Sequence, residues 1–222
     1  MTSRRVLVYT RTTGYRHDSI PDGVDCLAAL CDDLGLTADP TEDPAAFSTE
    51  SLAAYEAVVF LSTSGEVLDD AGRAALTDFV EAGGGFLGVH AASTTEYDWP
   101  WYGRLVGARF AGHPEFQRAV VTVEDRDHPA TAHLEATWPW ADEWYDFRST
   151  PREVPGLRVL ATVDERGYRG GSMGADHPLV WCQEVGAGRS FYTALGHAAE
   201  AYADPAFRTH LRGALGWAIR AV

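Results

Sequence analysis

The sequence predicts an α/β fold: a doubly wound, mostly parallel sheet with helices on both faces, followed by a β-rich second half. Continuous apolar stretches alternate with segments whose apolar residues have helical spacing. This pattern is typical of parallel sheets that are covered by helices on both faces. The 222 residues include 45% hydrophobic side chains, enough for one well-packed core. We find no internal repeat, low-complexity stretch or linker, and therefore predict a single domain over residues 1–222.

Three apolar strands and two helices account for the first half. The strands are expected at 5–10, 57–63 and 86–90, each without polar interruption. Ser19 is a helix N-cap signal, and the apolar stripe that follows it ends at Gly35. A second helix is predicted from Asp69 or Asp70 to the glycines at 83–85.

The second half has shorter strands separated by turns. Glycine-rich residues 186–188 lie between two of these strands and predict a β-hairpin. A terminal helix is expected to open at Asp204-Pro205 and to run to Ala218. The four predicted strands are 119–123, 157–163, 179–185 and 189–194.

Charge and composition exclude several function classes. The chain has 18 basic and 32 acidic residues, a net charge of −14, so binding to the polyanionic backbone of nucleic acids is not expected. It contains no lysine, which excludes Schiff-base catalysis and a Walker A phosphate loop. No apolar run approaches the roughly 20 residues of a membrane span, and no signal cleavage site is present. We therefore expect a cytoplasmic protein that does not bind membranes.

Three strand ends carry polar residues that topology brings to one edge of the sheet, where open α/β sheets bind ligands. His17 lies in the loop after the first strand, and Glu66 follows the second. His90 lies in Gly88-Val89-His90-Ala91-Ala92, which resembles a nucleophile elbow with histidine at the position of the nucleophile. Cys26, Cys31 and Cys182 lie elsewhere and are expected to be buried small hydrophobic residues, so a thiol-dependent glutaminase is excluded.

Six collinear motifs resemble those of the ThuA-like, or trehalose-utilisation, family. The resemblance implies a class I glutamine amidotransferase-like, or flavodoxin-like, fold that lacks the elbow cysteine. It also implies a role in bacterial carbohydrate metabolism beside an oxidoreductase that makes 3-keto disaccharides. The motifs are GYRHDSIPDG (14–23), GGGFLGVHAAS (83–93), AGHPEF (111–116), DEWYDF (142–147), HPLVW (177–181) and GAGRSFYTALGH (186–197).

Four residues are the catalytic candidates: His17, His90, Glu143 and His197. Trp144 and Tyr145 flank Glu143, and desolvation by these rings is expected to raise its pKa into the range of a general acid or base. His197 follows a strand end, and the amidotransferase-like fold has its catalytic histidine in a similar late loop. The alternatives are local capping for His17, a hydrogen-bonded core residue for His90 and a surface carboxylate for Glu143.

Further residues are candidates for sugar binding. Aromatic side chains after the elbow either pack in the core or at an interface, or stack on a pyranose ring. His128 is expected to form only a turn, and His133 and His210 are expected on exposed segments without a role. The substrate-binding candidates are Tyr15, Glu66, Trp99, Trp101, His113, Tyr145 and His177.

Three functions remain open from the sequence. The first is an enzyme that acts on a disaccharide such as trehalose, or on its 3-keto derivative, by acid–base chemistry. The second is a metal-dependent sugar-modifying enzyme, although the histidines lack a compact ligand spacing and no metal ligand is assigned. The third is a non-catalytic sugar-binding or regulatory module. The aromatic residues also suggest self-association into a homo-oligomer.

Overall fold

The computed structural model describes residues 4–221, in which five α-helices surround a nine-stranded sheet. The strands of this sheet lie in the order β2-β1-β3-β4-β11-β10-β9-β6-β7, and β5 pairs with β8 separately. The helices are α1 (Ile20–Asp33), α2 (Thr49–Leu52), α3 (Asp70–Glu81), α4 (Pro100–Val106) and α5 (Pro205–Ala218). The strands are β1 (Arg4–Tyr9), β2 (Leu36–Thr41), β3 (Tyr55–Leu61), β4 (Gly85–Val89), β5 (Phe110–Gly112), β6 (Gln117–Val123), β7 (Thr137–Asp142), β8 (Asp146–Phe147), β9 (Arg158–Val163), β10 (His177–Val185) and β11 (Gly188–Thr193).

The central strands are buried along most of their length. Residues 6–9 of β1, 57–61 of β3 and all of β4 are buried. Successive side chains of a strand point to opposite faces, so both faces of this part of the sheet are covered. The predicted α/β sheet is confirmed here.

Strand direction decides where the loops meet. Strands β2, β1, β3, β4 and β11 are parallel, and the remaining pairs are antiparallel. Following these pairings along the sheet, only β10 and β6 run against the other seven described strands. The carboxyl ends of β1, β4, β11 and β7 therefore point in the same direction.

The sheet curls so that its last strand returns toward its centre. Helix α5 contacts β4 and β11, and its Phe207 also packs against the indole rings of Trp138 and Trp140 on β7. At the end of β7, Asp142 accepts a hydrogen bond from the backbone N–H of Gly196, beyond β11. Two strands that are four places apart in the sheet thus end beside each other.

The structure corrects the expectation for His210 and confirms the one for the three cysteines. His210 was expected on an exposed segment, but it is fully buried in α5, where its Nδ1 lies 2.9 Å from the Ala130 carbonyl oxygen. It faces inward because the curled β7 covers α5 on the side of Trp138. The three cysteines are free and buried, as expected.

Among residues 4–221, none of the helices has the length and apolar character that crossing a bilayer requires.

Candidate functional site

A cavity of about 610 Å³ opens at the carboxyl edge of the sheet. Volumes of this size are typical of sites for small molecules. Its wall combines aromatic rings with a few polar groups, among them His17 and Glu143. The lining also includes Tyr15, Tyr97, Phe110, His113 and Tyr145.

His90 is held at the elbow by its backbone. It follows β4 directly, begins a short 3₁₀ turn and has a φ of +51°, a left-handed conformation that is rare outside glycine. Its side chain is fully buried, and Nδ1 lies 2.7 Å from the Ala194 carbonyl oxygen. A carbonyl only accepts, so Nδ1 carries the proton and Nε2 presents a lone pair. The Tyr145 hydroxyl donates to this Nε2 at 2.9 Å.

His17 reaches the same point from the loop after β1. Its Nε2 lies 3.2 Å from His90 Nε2, and the two rings meet edge to face. The side chain is buried, and its Nδ1 has no hydrogen-bond partner among the residues that the structure describes. Burial, together with the neighbouring His90 and His197, lowers the pKa of His17 to about 3. His17 is therefore neutral at physiological pH.

Glu143 joins the histidines from the end of β7. Its Oε2 lies 3.1 Å from His197 Nδ1 and 3.7 Å from His90 Nε2. Its Oε1 lies 3.6 Å from Nδ1 of His113, on the cavity wall. The carboxylate is thus within reach of three imidazoles at once.

The expected rise in the pKa of Glu143 is wrong. Partial burial does raise the pKa of this carboxyl, but the contacts with neighbouring imidazoles, His197 foremost, outweigh burial, and the pKa lies well below its usual range. The same contact with Glu143 raises the pKa of His197. Glu143 is therefore ionised throughout the neutral range and is a weak proton acceptor.

Asp142 holds together the loops that carry Glu143 and His197, and it was not among the residues singled out from the sequence. Its buried carboxylate accepts hydrogen bonds from the backbone N–H of Glu143 at 2.9 Å, of Gly196 at 2.8 Å and of His197 at 3.2 Å. Burial raises its pKa, while these donors and His90 act in the opposite sense. The partly exposed Phe116 was also missed, and its ring lies 5.7 Å from that of His197.

The structure brings the four catalytic candidates together. His17, His90, Glu143 and His197 each offer one nitrogen or oxygen atom, and these four atoms all lie within 4.8 Å of one another. We call these residues the His/Glu cluster. Four loops contribute to it. They follow β1 and β4, which the sequence predicts at one edge of the sheet, and β7 and β11.

Two further candidates border the cluster. Tyr145 contacts His90, and His113 is 36% exposed on the cavity wall, with its Nδ1 2.8 Å from the Pro114 carbonyl oxygen. Tyr15 is 69% exposed and touches His17 edge to face. Of the seven binding candidates, these three line the cavity.

The other four binding candidates lie outside the cavity. Trp101 is buried and donates from its indole nitrogen to Glu81 of α3, and Trp99 stacks against it. The two indoles therefore pack between α3 and α4, outside the cavity. Glu66 forms an ion pair with Arg73.

His177 belongs to a second polar group. It is fully buried, its Nε2 lies 2.8 Å from the Tyr145 carbonyl oxygen, and its Nδ1 lies 3.1 Å from Glu165. With Asp146 these residues form another set of three close ligand atoms. His177 thus supports the backbone of Tyr145 without lining the cavity.

Residues 5–218 of the chain match a family model named ThuA, which is described as trehalose utilisation. A ThuA-like protein from Bacteroides uniformis is 25% identical, with a TM-score of 0.78 over 97% of this chain and 91% of that one. A ThuA-like protein from Parabacteroides merdae is 21% identical, with a TM-score of 0.80 over 99% and 91%.

The fold also occurs inside larger enzymes. A β-galactosidase from Rahnella sp. R3 is 16% identical, with a TM-score of 0.61 over 99% of this chain and 32% of that enzyme, a likeness of fold alone. The search of curated proteins gives no match. The family model spans nearly the whole chain, and the two ThuA-like structures share the fold over 91% of their own length, so this chain belongs to the ThuA family, the family of trehalose utilisation.

Proposed function

We propose that this protein is an enzyme of disaccharide utilisation that acts on the 3-keto derivative of a trehalose-like sugar by acid–base chemistry. One observation carries the proposal: four polar side chains from four separate loops meet beside a cavity with aromatic walls. The Tyr145 hydroxyl at this centre can donate to a carbonyl oxygen and stabilise the charge that develops on it. The family's association with trehalose supplies the class of substrate.

The walls of the cavity suit a sugar. The rings of Tyr97, Phe110 and Tyr145 line it, and their faces can stack on the C–H face of a pyranose. Tyr97 is fixed by a hydrogen bond from its hydroxyl to the Phe110 carbonyl oxygen at 3.0 Å. We therefore assign the stacking role to these rings, and not to Trp99 and Trp101, for which the sequence suggests it.

The set of charged groups favours a ketone substrate over direct hydrolysis of a glycosidic bond. Glycosidases generally use two carboxyl groups placed on either side of the bond that is cleaved. Among the described residues that line the cavity, Glu143 alone has a carboxylate. A ketone, in contrast, acidifies the neighbouring C–H bond, so one proton acceptor and one group that stabilises negative charge suffice.

We assign the proton acceptor to His113. Its Nδ1 proton is held by the Pro114 carbonyl oxygen, which leaves Nε2 with a free lone pair. In the proposed step His113 takes the proton from the carbon beside the ketone, and the electron pair of the C–H bond passes to the ketone oxygen. The Tyr145 hydroxyl donates to the oxygen of the resulting enolate and stabilises its negative charge.

This reaction needs a partner enzyme. A 3-keto sugar forms by oxidation of a hydroxyl group, so a sugar oxidoreductase in the same cytoplasm is the partner that we propose. The substrate would pass between the two enzymes as a small molecule.

The test is exchange of hydrogen for deuterium at the carbon beside the ketone of 3-keto-trehalose in D₂O, followed by NMR. Proton removal is detected in this way whatever product forms next. We expect His113→Gln to slow exchange by about 100-fold or more, the usual contribution of a general base. The matched control is His133→Gln, since His133 is also exposed and is not among the residues that line the cavity.

Binding of the keto sugar without exchange by the wild-type protein would indicate a sugar-binding module and refute the enzyme. Normal exchange by His113→Gln would remove this histidine from the mechanism.

A further inference from the structure

We propose that the His/Glu cluster binds one divalent transition-metal ion through His17 Nε2, His90 Nε2, His197 Nδ1 and one oxygen of Glu143. The inference deepens the proposed function and rests on it for the role of the ion in catalysis. Metal binding itself can be measured without any sugar.

The spacing of the four atoms fits a common ion. Zinc binds nitrogen and carboxylate oxygen at about 2.0–2.2 Å, so tetrahedral ligand atoms lie about 3.4 Å from one another. In the cluster, His17 Nε2 and His90 Nε2 are 3.2 Å apart. Glu143 Oε2 is 3.1 Å from His197 Nδ1 and 3.7 Å from His90 Nε2.

The protonation pattern of His90 leaves its inward nitrogen free for a metal. Its Nδ1–H donates to the Ala194 carbonyl oxygen, which is the outer hydrogen bond typical of histidines that bind metals. The lone pair on Nε2 therefore points toward His17 and Glu143. In the absence of an ion this lone pair accepts from the Tyr145 hydroxyl. Binding of the ion would free that hydroxyl to donate to a substrate oxygen.

The ligand atom of His197 has no other partner in the described part of the chain. Its Nδ1 is buried and lies 3.1 Å from Glu143, but within residues 4–221 it forms no hydrogen bond. The backbone of His197 is nevertheless fixed, because its N–H donates to the buried Asp142. The backbone that carries the side chain is thus fixed, while Nδ1 has no hydrogen-bond partner among the described residues, as expected of a metal ligand before its ion is bound.

The second polar group, around Asp146, Glu165 and His177, differs from the His/Glu cluster in its hydrogen bonding. Its carboxylates already accept hydrogen bonds from backbone N–H groups of the loop at 172–174. Both nitrogens of His177 also have partners, Tyr145 and Tyr168. These groups are satisfied by the protein, so we assign no ion to them.

The donor set selects the class of ion. Three imidazoles and one carboxylate suit Zn²⁺, Mn²⁺, Fe²⁺ or Co²⁺, whereas Mg²⁺ and Ca²⁺ prefer oxygen ligands. His17 and Glu143 line the cavity, which places the centre beside the space for a substrate. An ion held there would act as a Lewis acid on a sugar carbonyl.

The test is titration of the full-length, chelator-treated protein with Co²⁺ alone, followed by visible absorption, with Zn²⁺ competition measured by calorimetry. We expect one equivalent of Co²⁺, with the spectrum of a nitrogen-rich site of low coordination number. His197→Gln and Glu143→Gln should each weaken binding by at least about 10-fold. His197 is the least buried of the three histidines, with 27% of its side chain exposed, so its variant should fold. His133→Gln is the matched control.

Binding of clearly less than one equivalent by the wild-type protein, or unchanged affinity in folded His197→Gln and Glu143→Gln, would overturn the metal site. The result is independent of the proposed function. A protein that binds Co²⁺ but leaves the keto sugar unchanged would retain the metal site and lose the function. Full exchange after removal of all metal would retain the function and refute the role of the ion.

Discussion

Replacing Asp142 by Asn tests how the loops at the carboxyl edge are held together. The Asp142 carboxylate is buried and accepts four hydrogen bonds, two at each oxygen. Oδ1 accepts from the backbone N–H of Glu143 at 2.9 Å and of His197 at 3.2 Å. Oδ2 accepts from the Trp140 indole at 2.9 Å and from the Gly196 N–H at 2.8 Å. Removal from water raises the pKa of the carboxyl, and these four donors replace the lost hydration.

Asn keeps the shape of the side chain but offers only one oxygen. In either orientation its NH₂ group faces two N–H donors, so two of the four hydrogen bonds are lost. A hydrogen bond to a charged group contributes roughly 1.5–3 kcal/mol. We therefore expect Asp142→Asn to lower the free energy of unfolding by roughly 3–6 kcal/mol. At about 2–4 °C per kcal/mol for a chain of this size, the melting temperature should fall by roughly 6–24 °C.

Urea unfolding followed by tryptophan fluorescence measures this change, and scanning calorimetry measures the melting temperature. Asp127→Asn is the matched control, because Asp127 is exposed and forms no hydrogen bond through its carboxylate that the structure describes. A loss below about 1 kcal/mol in Asp142→Asn would show that the four donors find other partners. The carboxylate would then not be what fastens the two loops.

Two further predictions concern buried side chains. Burial lowers the pKa of His210 to about 3, so the unfolded chain, with a pKa near 6.5, takes up this proton first. The free energy of unfolding should therefore fall as the pH drops below about 6.5, by about 1.4 kcal/mol per pH unit for this residue. Urea unfolding at several pH values should show a smaller change in this free energy per pH unit for His210→Gln than for His133→Gln. Burial also raises the pKa of Cys31 and Cys182 to about 12, so iodoacetamide should leave the native protein unmodified by mass spectrometry; stoichiometric labelling without unfolding would contradict this.

The first half of the sheet could be predicted because its strands are buried on both faces. Continuous apolar runs identify β1, β3 and β4, and their parallel arrangement places His17 and His90 at one edge. Strand β2 was not predicted, since Leu36–Thr41 is a polar, partly exposed edge strand that contains a proline. Only its pairing with β1 gives it a strand conformation.

The position of Glu143 could not be predicted from local pattern. Strand β7 (Thr137–Asp142) contains a proline, and its burial does not alternate regularly beyond Pro139, so it lacks a clear strand signal. Its end approaches β11 only because the sheet curls around α5, a property of long-range packing. The low pKa of Glu143 has the same origin. The flanking aromatic residues predicted desolvation, but the opposing imidazoles come from distant loops.

The wide separation of the cluster residues along the chain has a consequence for folding. His17 and His90 are 73 residues apart, and Asp142 and His197 are 55 apart. Closing loops of this length carries an entropic penalty that local contacts cannot offset, so we expect these pairs to form late. A fragment that runs from β1 through the turn after β4 (residues 4–94) would hold two of the four side chains and none of their partners from β7 and β11. The imidazole NMR signals of the cluster should therefore report completion of the tertiary fold, separately from signals of helix formation.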